Sequence, residues 1–147
     1  MTDSHKSTDN FLEKELSYKI IGCFYNVFNK YGYGLKEIIY EKALSEEFNK
    51  NKIQYERQKR INIYSFDTGK ILGTYVPDFI VENKIVLEIK SIDFLTRKCI
   101  YQQRSYIKAS LYEIGYLVNF GAKEIEIKRS IYTNDRKPFS RLLQNNL

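Results

Sequence analysis

Residues 76–90, VPDFIVENKIVLEIK, constrain this chain more than any other stretch. Two short runs of branched and aromatic residues are split by the polar cluster Glu82-Asn83-Lys84, the pattern of a β-hairpin. Side chains alternate along a strand, so Glu88 and Lys90 point to one face. Asp78 joins them only in one register. A two-residue turn at Asn83-Lys84 pairs Asp78 with Ile89 and turns its carboxylate away. A three-residue loop over 82–84 pairs Asp78 with Glu88, and the three polar groups converge. Such loops need a residue in the left-handed region, which Asn83 tolerates, and this is the register expected. It places Val76, Ile80 and Val86 on the carboxylate face and Phe79, Val81, Ile85, Leu87 and Ile89 on the other. Both faces are then apolar, as in strands covered on both sides. Ionised groups at the end of such strands need partners.

The rest of the chain supplies the covering layers. Leu12, Leu16, Ile20, Phe24 and Phe28 recur at helical spacing over about 11–31, and Gly32 and Gly34 break the pattern. A second helix is expected over 35–49, packing through Ile39, Ala43, Leu44 and Phe48, with Glu37 and Glu41 four apart on one side. Extended structure is expected over 53–65. A third helix over 97–112 has Thr96 as its N-cap and Ile100, Ile107 and Leu111 toward the core. Strands follow at 116–120 and 124–131. Residues 1–10 and about 133–147 read as loose tails of a single domain spanning 1–147. The order helix, helix, strands, helix, strands predicts an α/β fold, a mixed central sheet flanked by helices on both faces.

The inventory excludes several chemistries. His5 is the one histidine and lies in the polar N-terminal stretch, so neither a histidine base nor a multi-histidine metal site is available. Cys23 and Cys99 are far apart and form no CxxC motif, so they read as reduced thiols. A metal would have to be held by carboxylates, which suits Mg²⁺ or Mn²⁺. No apolar run approaches the roughly 20 residues that span a bilayer, and the opening MTDSHKSTDN has no apolar signal segment. No membrane association and a cytoplasmic location are therefore expected. The net charge of +6 is compatible with a polyanionic partner.

Two nearby carboxylates repel, and a divalent cation relieves that repulsion by accepting oxygens from both. A cation there can activate water and neutralise a phosphoryl oxygen. Lys90 could orient or help deprotonate the water, or stabilise the pentavalent phosphate. Each piece also has a plainer reading. An Asp after Pro is often a turn residue, and an ExK pair is often an exposed ion-pairing face.

Pro77-Asp78 followed by Glu88-Ile89-Lys90 resembles the PD-(D/E)xK nuclease signature. Gly34-Leu35-Lys36-Glu37-Ile38-Ile39-Tyr40 is similar to the motif that names the GxxExxY protein family within that superfamily. Gln102 and Tyr106 resemble its QxxxY motif, and Leu117-Val118-Asn119-Phe120-Gly121 its LxNFG-type strand. The resemblance runs in order from about Ile20 to Ile131. It implies a restriction-endonuclease-like core and a metal-dependent nuclease; the substrate does not carry over with it, and the expected function is cleavage of limited sequence specificity, with DNA placed ahead of RNA. It also implies that Glu37 joins Asp78, Glu88 and the Ile89 backbone carbonyl around Mg²⁺ or Mn²⁺, with Lys90 as the catalytic lysine. Gln102 and Tyr106 would orient substrate; they share a helix face, with Lys98 one turn earlier as a phosphate contact. Tyr40 lies on the Glu37 side of its helix and serves either substrate or the core. Asp93 reads as a loop residue. The four-cysteine cluster of some exonuclease relatives is absent, and the chain's size leaves no room for a separate recognition domain. Specific cutting would then need a homodimer or a larger repair or defence complex. The alternative is a nucleic-acid-binding module or complex subunit of the same fold with little activity alone.

Overall fold

The computed structural model describes residues 12–145. Helices α1 (Lys14–Tyr31) and α2 (Glu37–Lys50) come first. Strands β1 (Tyr55–Arg57), β2 (Ile61–Tyr64), β3 (Ile71–Tyr75), β4 (Phe79–Val81) and β5 (Ile85–Lys90) follow. Helix α3 (Arg97–Ala109) leads to β6 (Ile114–Asn119) and β7 (Glu126–Ile131). A 3₁₀ turn, Asn134–Arg136, and α4 (Pro138–Asn145) close the described chain. The central sheet runs β1-β4-β5-β6-β7; only β5 and β6 are parallel, and α3 is the crossover between them. Strands β2 and β3 form a separate antiparallel hairpin.

The β4–β5 register is the three-residue-loop register: Val81 faces Ile85, Ile80 faces Val86 and Phe79 faces Leu87. Continuing it one step sets Asp78 opposite Glu88. The loop differs in detail from expectation, because Glu82 and Asn83 both adopt left-handed φ, 52° and 54°. Glu82 is held there from both sides. Its N–H donates to Gln54 O at 2.9 Å, and its carboxylate accepts from Gln54 N–H at 2.6 Å.

The alternation divides the core in two. Phe79, Val81, Ile85, Leu87 and Ile89 face α1 and α2, meeting Ile20, Phe24, Tyr40, Leu44 and Phe48. Ile80 and Val86 face the other way, toward Ile107 of α3 and Ile61 and Tyr75 of the β2–β3 hairpin. The sheet is thus covered on both faces, with the hairpin sharing the second face. Gly115 lets α3 approach: a Cβ there would lie 3.0 Å from Ile107 and 3.1 Å from Gln103.

Four expectations are corrected. Ile39 is 40% exposed, and α2 packs through Tyr40, Leu44 and Phe48 at strict four-residue spacing, with Ala43 only partly buried beside them. Leu111 is exposed because α3 stops at Ala109. Val76 is exposed in the turn between β3 and β4, and Tyr75 takes its place against the second core. Finally, residues 134–145 are built into the fold, not loose. Phe139 is fully buried and stacks on Tyr64 and Phe66, at 5.2 and 6.1 Å. The buried Lys137 ammonium donates to Ser110 O and Tyr112 O, at 2.8 and 2.7 Å, closing the end of α3. Burial pushes that amine down to about 8. The stretch expected as an N-terminal tail, 1–10, lies outside the described residues. No described helix is long and apolar enough to cross a membrane.

Phe139→Ala should therefore lower the unfolding free energy by about 3 kcal/mol, the cost of emptying a buried aromatic site. Urea denaturation measures it. A change below about 0.5 kcal/mol, as at an unconstrained surface position, would mean that this segment does not hold the fold.

Candidate active site

The Gly34, Lys90 and Asn119 segments are distant in sequence and are sewn together by backbone bonds. Gly34 N–H donates to Phe120 O at 3.0 Å, and Phe120 N–H to Lys90 O at 2.8 Å. The Ser91 hydroxyl donates to Leu35 O. Gly34 needs its glycine, since φ there is 87°. Asn119 is fully buried and works as a clamp: its Oδ1 accepts from Ile92 and Gly121 N–H, and its Nδ2 donates to Ile92 O and Glu126 Oε1. A Cβ on Gly121 would overlap the Ile92 backbone. The loop leaving Lys90 is thereby fixed against the start of α2. A groove of about 440 Å³ runs between them, lined by residues 34–37 from the start of α2, residues 91–93 from the loop after Lys90, and Gly121.

Of the expected metal-site carboxylates, Glu37 lines this groove; Asp78 and Glu88 are not among its lining residues. Asp78 lies just before β4, and its Oδ2 accepts from Ile89 N–H at 2.7 Å, which ties it across to β5. Glu88 and Lys90 are half-buried at the carboxyl end of β5, on the face opposite Ile89. Glu37 opens α2, is exposed, and makes no hydrogen bond or ion pair to any described residue. It is near enough to act electrostatically on both Asp78 and Glu88. Burial raises the Asp78 carboxyl above its ordinary value, against the Ile89 N–H bond, and Glu41 and Glu37 raise it further. Burial likewise pushes Glu88 up to about 7; Lys90 opposes the rise, and Glu37 and Glu41 add to it. Like-charge repulsion on these two carboxylates thus comes from Glu37 and Glu41 on α2.

The remaining expected residues separate into three groups. Tyr106 reaches the site indirectly, its ring stacked on Tyr75 at 4.0 Å between centroids and 7° between planes. The Tyr75 hydroxyl donates to Glu88 Oε1. Gln102 and Lys98 are exposed on α3 and bond to no described residue. Tyr40 is not available to substrate. It is fully buried, stacks on Phe120 at 4.5 Å, donates to Gly32 O at 2.7 Å and accepts from Leu35 N–H at 3.1 Å. Its role is to hold the glycine turn that presents Glu37.

Three residues at the site were not anticipated. Glu41 is buried, and its Oε1 accepts from Arg57 Nη2 at 3.2 Å and Gln58 Nε2 at 2.9 Å. Gln58 adopts a left-handed φ of 54°, and its N–H donates to Asp78 O at 3.2 Å. Its side chain also hydrogen-bonds the Asp78 carboxylate, so it bridges Asp78 and Glu41. Tyr75 is the third. The pairing of Glu37 with Glu41, like charges four apart on a helix, was a visible signal for Glu41. Gln58 and Tyr75 carry no local signal, because their partners are distant in sequence.

The donor set is carboxylate and carbonyl oxygen, the chemistry of hard divalent cations. Asp78 and Glu88, with the Ile89 carbonyl between β5 neighbours and Glu37 free to turn, would hold one. Among the described residues, no three His, Cys, Asp or Glu side chains are gathered to hold a cation as they stand. Glu88 is held by Tyr75, so it must turn for the set to close.

A family model described as the PD-(D/E)XK nuclease superfamily matches residues 14–130. The chain belongs to the PD-(D/E)XK nuclease superfamily. Members of that superfamily typically use divalent metals, and its activity implies a nucleic-acid substrate. The five-stranded mixed sheet with helices on both faces is consistent with its restriction-endonuclease-like fold. Among solved structures, the crystal structure of SSO0001 is similar with a TM-score of 0.47 at 19% identity, over 73% of this chain and 55% of that one. This chain thus spans little more than half of that protein, and so distant a likeness says nothing of substrate. No curated protein matches.

The raised Glu88 carboxyl sets the sign of a pH effect. The folded metal-free protein keeps this proton to about 7, whereas the unfolded chain releases it near the ordinary 4.5. Its contribution to stability is therefore full below 4.5 and is lost as pH rises through 7. In EDTA, the wild type should melt lower at pH 8 than at pH 5.5, by on the order of 2 kcal/mol. Glu88→Gln should flatten that slope and raise the melting temperature at pH 8. Equal slopes in the two proteins would show that Glu88 is not a strained carboxylate.

Proposed function

We propose that this chain is a Mg²⁺- or Mn²⁺-dependent nuclease of the GxxExxY type, hydrolysing phosphodiester bonds with limited sequence preference. The observation that carries the proposal is the convergence of Asp78, Glu88 and Lys90 at the carboxyl end of β5, with Glu37 acting electrostatically on both carboxylates. In hydrolysis a water oxygen bonds to phosphorus and the bond to one ester oxygen breaks. The water's protons end on the leaving oxygen and in solvent, leaving one phosphate end and one hydroxyl end. The cation supplies activation of water and neutralisation of phosphoryl charge. Asp78, Glu37, Glu88 and the Ile89 carbonyl would hold it. Lys90 orients the water and stabilises negative charge as it develops on the phosphoryl oxygens. Tyr75 fixes the resting position of Glu88, and Tyr106 fixes Tyr75. Lys98 and Gln102, exposed on α3, would meet the nucleic-acid backbone. DNA is put ahead of RNA, with no residue of the chain separating the two, and a cytoplasmic protein acting as a homodimer or within a repair or defence complex fits the same reading.

A second reading is a binding module with little turnover by itself. The engagement of Glu88 by Tyr75, and the absence among described residues of a gathered three-ligand set, favour it.

Incubation with labelled single- and double-stranded DNA and RNA, with Mg²⁺, Mn²⁺ or EDTA, tests both. Cleavage should require the cation and fall by about 100-fold or more in Lys90→Ala and Asp78→Asn, the scale expected on removing a charge-stabilising group. Cleavage that survives both substitutions would sink the site assignment. Metal-independent binding without cleavage would favour the second reading.

A further inference from the structure

Helix α3, RKCIYQQRSYIKA, carries four cations and no acidic residue, against +6 for the whole chain. Its inner face is accounted for by Gln103, whose side chain donates to Tyr116 O at 2.7 Å, and by Ile107 in the second core. Its outer face is different. Arg97, Lys98, Tyr101 and Arg104 are exposed, and none hydrogen-bonds or ion-pairs with a described residue. Residues three and four apart are neighbours on a helix, so Tyr101, 63% exposed, is ringed by Arg97, Lys98 and Arg104. Surface helices usually mix charges of both signs; this one offers one sign around an exposed ring.

A second exposed ring lies in the loop that leaves Lys90. Phe94 is 65% exposed in the loop between Lys90 and α3. It is four positions after Lys90, so the two lie within about 14 Å along the chain. Loop and helix therefore lead from Lys90 past Phe94 to Tyr101, with cations along the way. On the site side of α3, Tyr106 ends the row that begins at Lys98 and Gln102, and stacks on Tyr75.

We propose that this face binds a single-stranded nucleic-acid segment, with bases stacking on Phe94 and Tyr101 and phosphates meeting Arg97, Lys98 and Arg104. The proposal rests on the nuclease reading for the path to Lys90 and adds the strandedness of the substrate. The chemistry is that of sequence-tolerant strand binding, aromatic platforms interleaved with cations along a backbone track. In a duplex the base faces are stacked on each other and unavailable to the rings, whereas its phosphates still attract the cations. Rings and cations together thus select the unpaired strand.

The test is fluorescence anisotropy of the full chain in EDTA, which prevents turnover, with a labelled single strand and a hairpin duplex of equal length. Phe94→Ala and Tyr101→Ala should each weaken single-strand binding by about 5- to 100-fold, the range of one lost base–aromatic stack. Duplex binding should change less than about twofold in both. Tyr101→Phe, which keeps the ring, should bind as the wild type does. Arg97→Ala and Arg104→Ala should each lower the salt slope for the single strand by about 0.7. Both rings are exposed, and unchanged melting temperatures in the Ala variants verify folding. Wild-type binding that is equal for strand and duplex, or ring removals that leave single-strand affinity within about twofold, would overturn the proposal. Metal-dependent cleavage abolished by Lys90→Ala, with ring-insensitive binding, would overturn it while leaving the nuclease reading intact. Ring-dependent strand binding without cleavage would support it while removing the nuclease reading.

Discussion

The hydrogen bond from Ile89 N–H to Asp78 Oδ2 joins the two halves of the site across the β4–β5 hairpin. It depends on register. A strand's side chains alternate with period two, so a one-residue slip would exchange Asp78 and Glu88 with the apolar residues that pack on α1 and α2. The burial of Phe79, Val81, Ile85, Leu87 and Ile89 on one face therefore enforces the convergence of charge on the other. Each buried aliphatic or aromatic side chain contributes roughly 1.5–3 kcal/mol, and five of them oppose any slip. Core packing and site geometry are consequences of the same pairing.

That packing holds carboxylates where solvent alone would not keep them. Asp78 and Glu88 are raised by burial, and Glu37 and Glu41 add repulsion. Hydrogen bonds moderate it: Ile89 N–H and Gln58 on Asp78, Tyr75 on Glu88, Arg57 and Gln58 on Glu41. Such a site is less stable at neutral pH without a counter-charge than with one. A cation that binds the folded chain alone would stabilise it by mass action. Around this cluster the Asn119 side chain and the Tyr40 hydroxyl tie the surrounding loops together by hydrogen bonds.

Much of this could be read from residues. The hairpin and the sharing of one face by Glu88 and Lys90 follow from alternation, the choice between two registers rested on the loop at 82–84 and matches the pairing found, and the Thr96 cap is seen accepting from Cys99 N–H. What local pattern could not supply was long-range. Tyr75 meets Glu88 because the β2–β3 hairpin folds over the second sheet face, and Gln58 meets Glu41 and Asp78 because β1 pairs with β4. Tyr40 has the helical spacing of a site residue and of a core residue alike, and burial decided between them. The polar stretch after Thr133 concealed one anchor, Phe139, whose partners lie on the β2–β3 hairpin and the turn beyond β2. Lys137, a charge expected in solvent, is buried because two backbone carbonyls receive it.

The central claim is that Asp78, Glu88 and Glu37 form one cation site with the Ile89 carbonyl. A crystal soaked in Mn²⁺ and measured for anomalous scattering tests it most directly. The account predicts a peak between the Asp78 and Glu88 carboxylates, beside the Ile89 carbonyl, with Glu88 turned away from Tyr75. Saturating Mn²⁺ with no peak there, or a peak elsewhere while Glu88 remains on Tyr75, would contradict it.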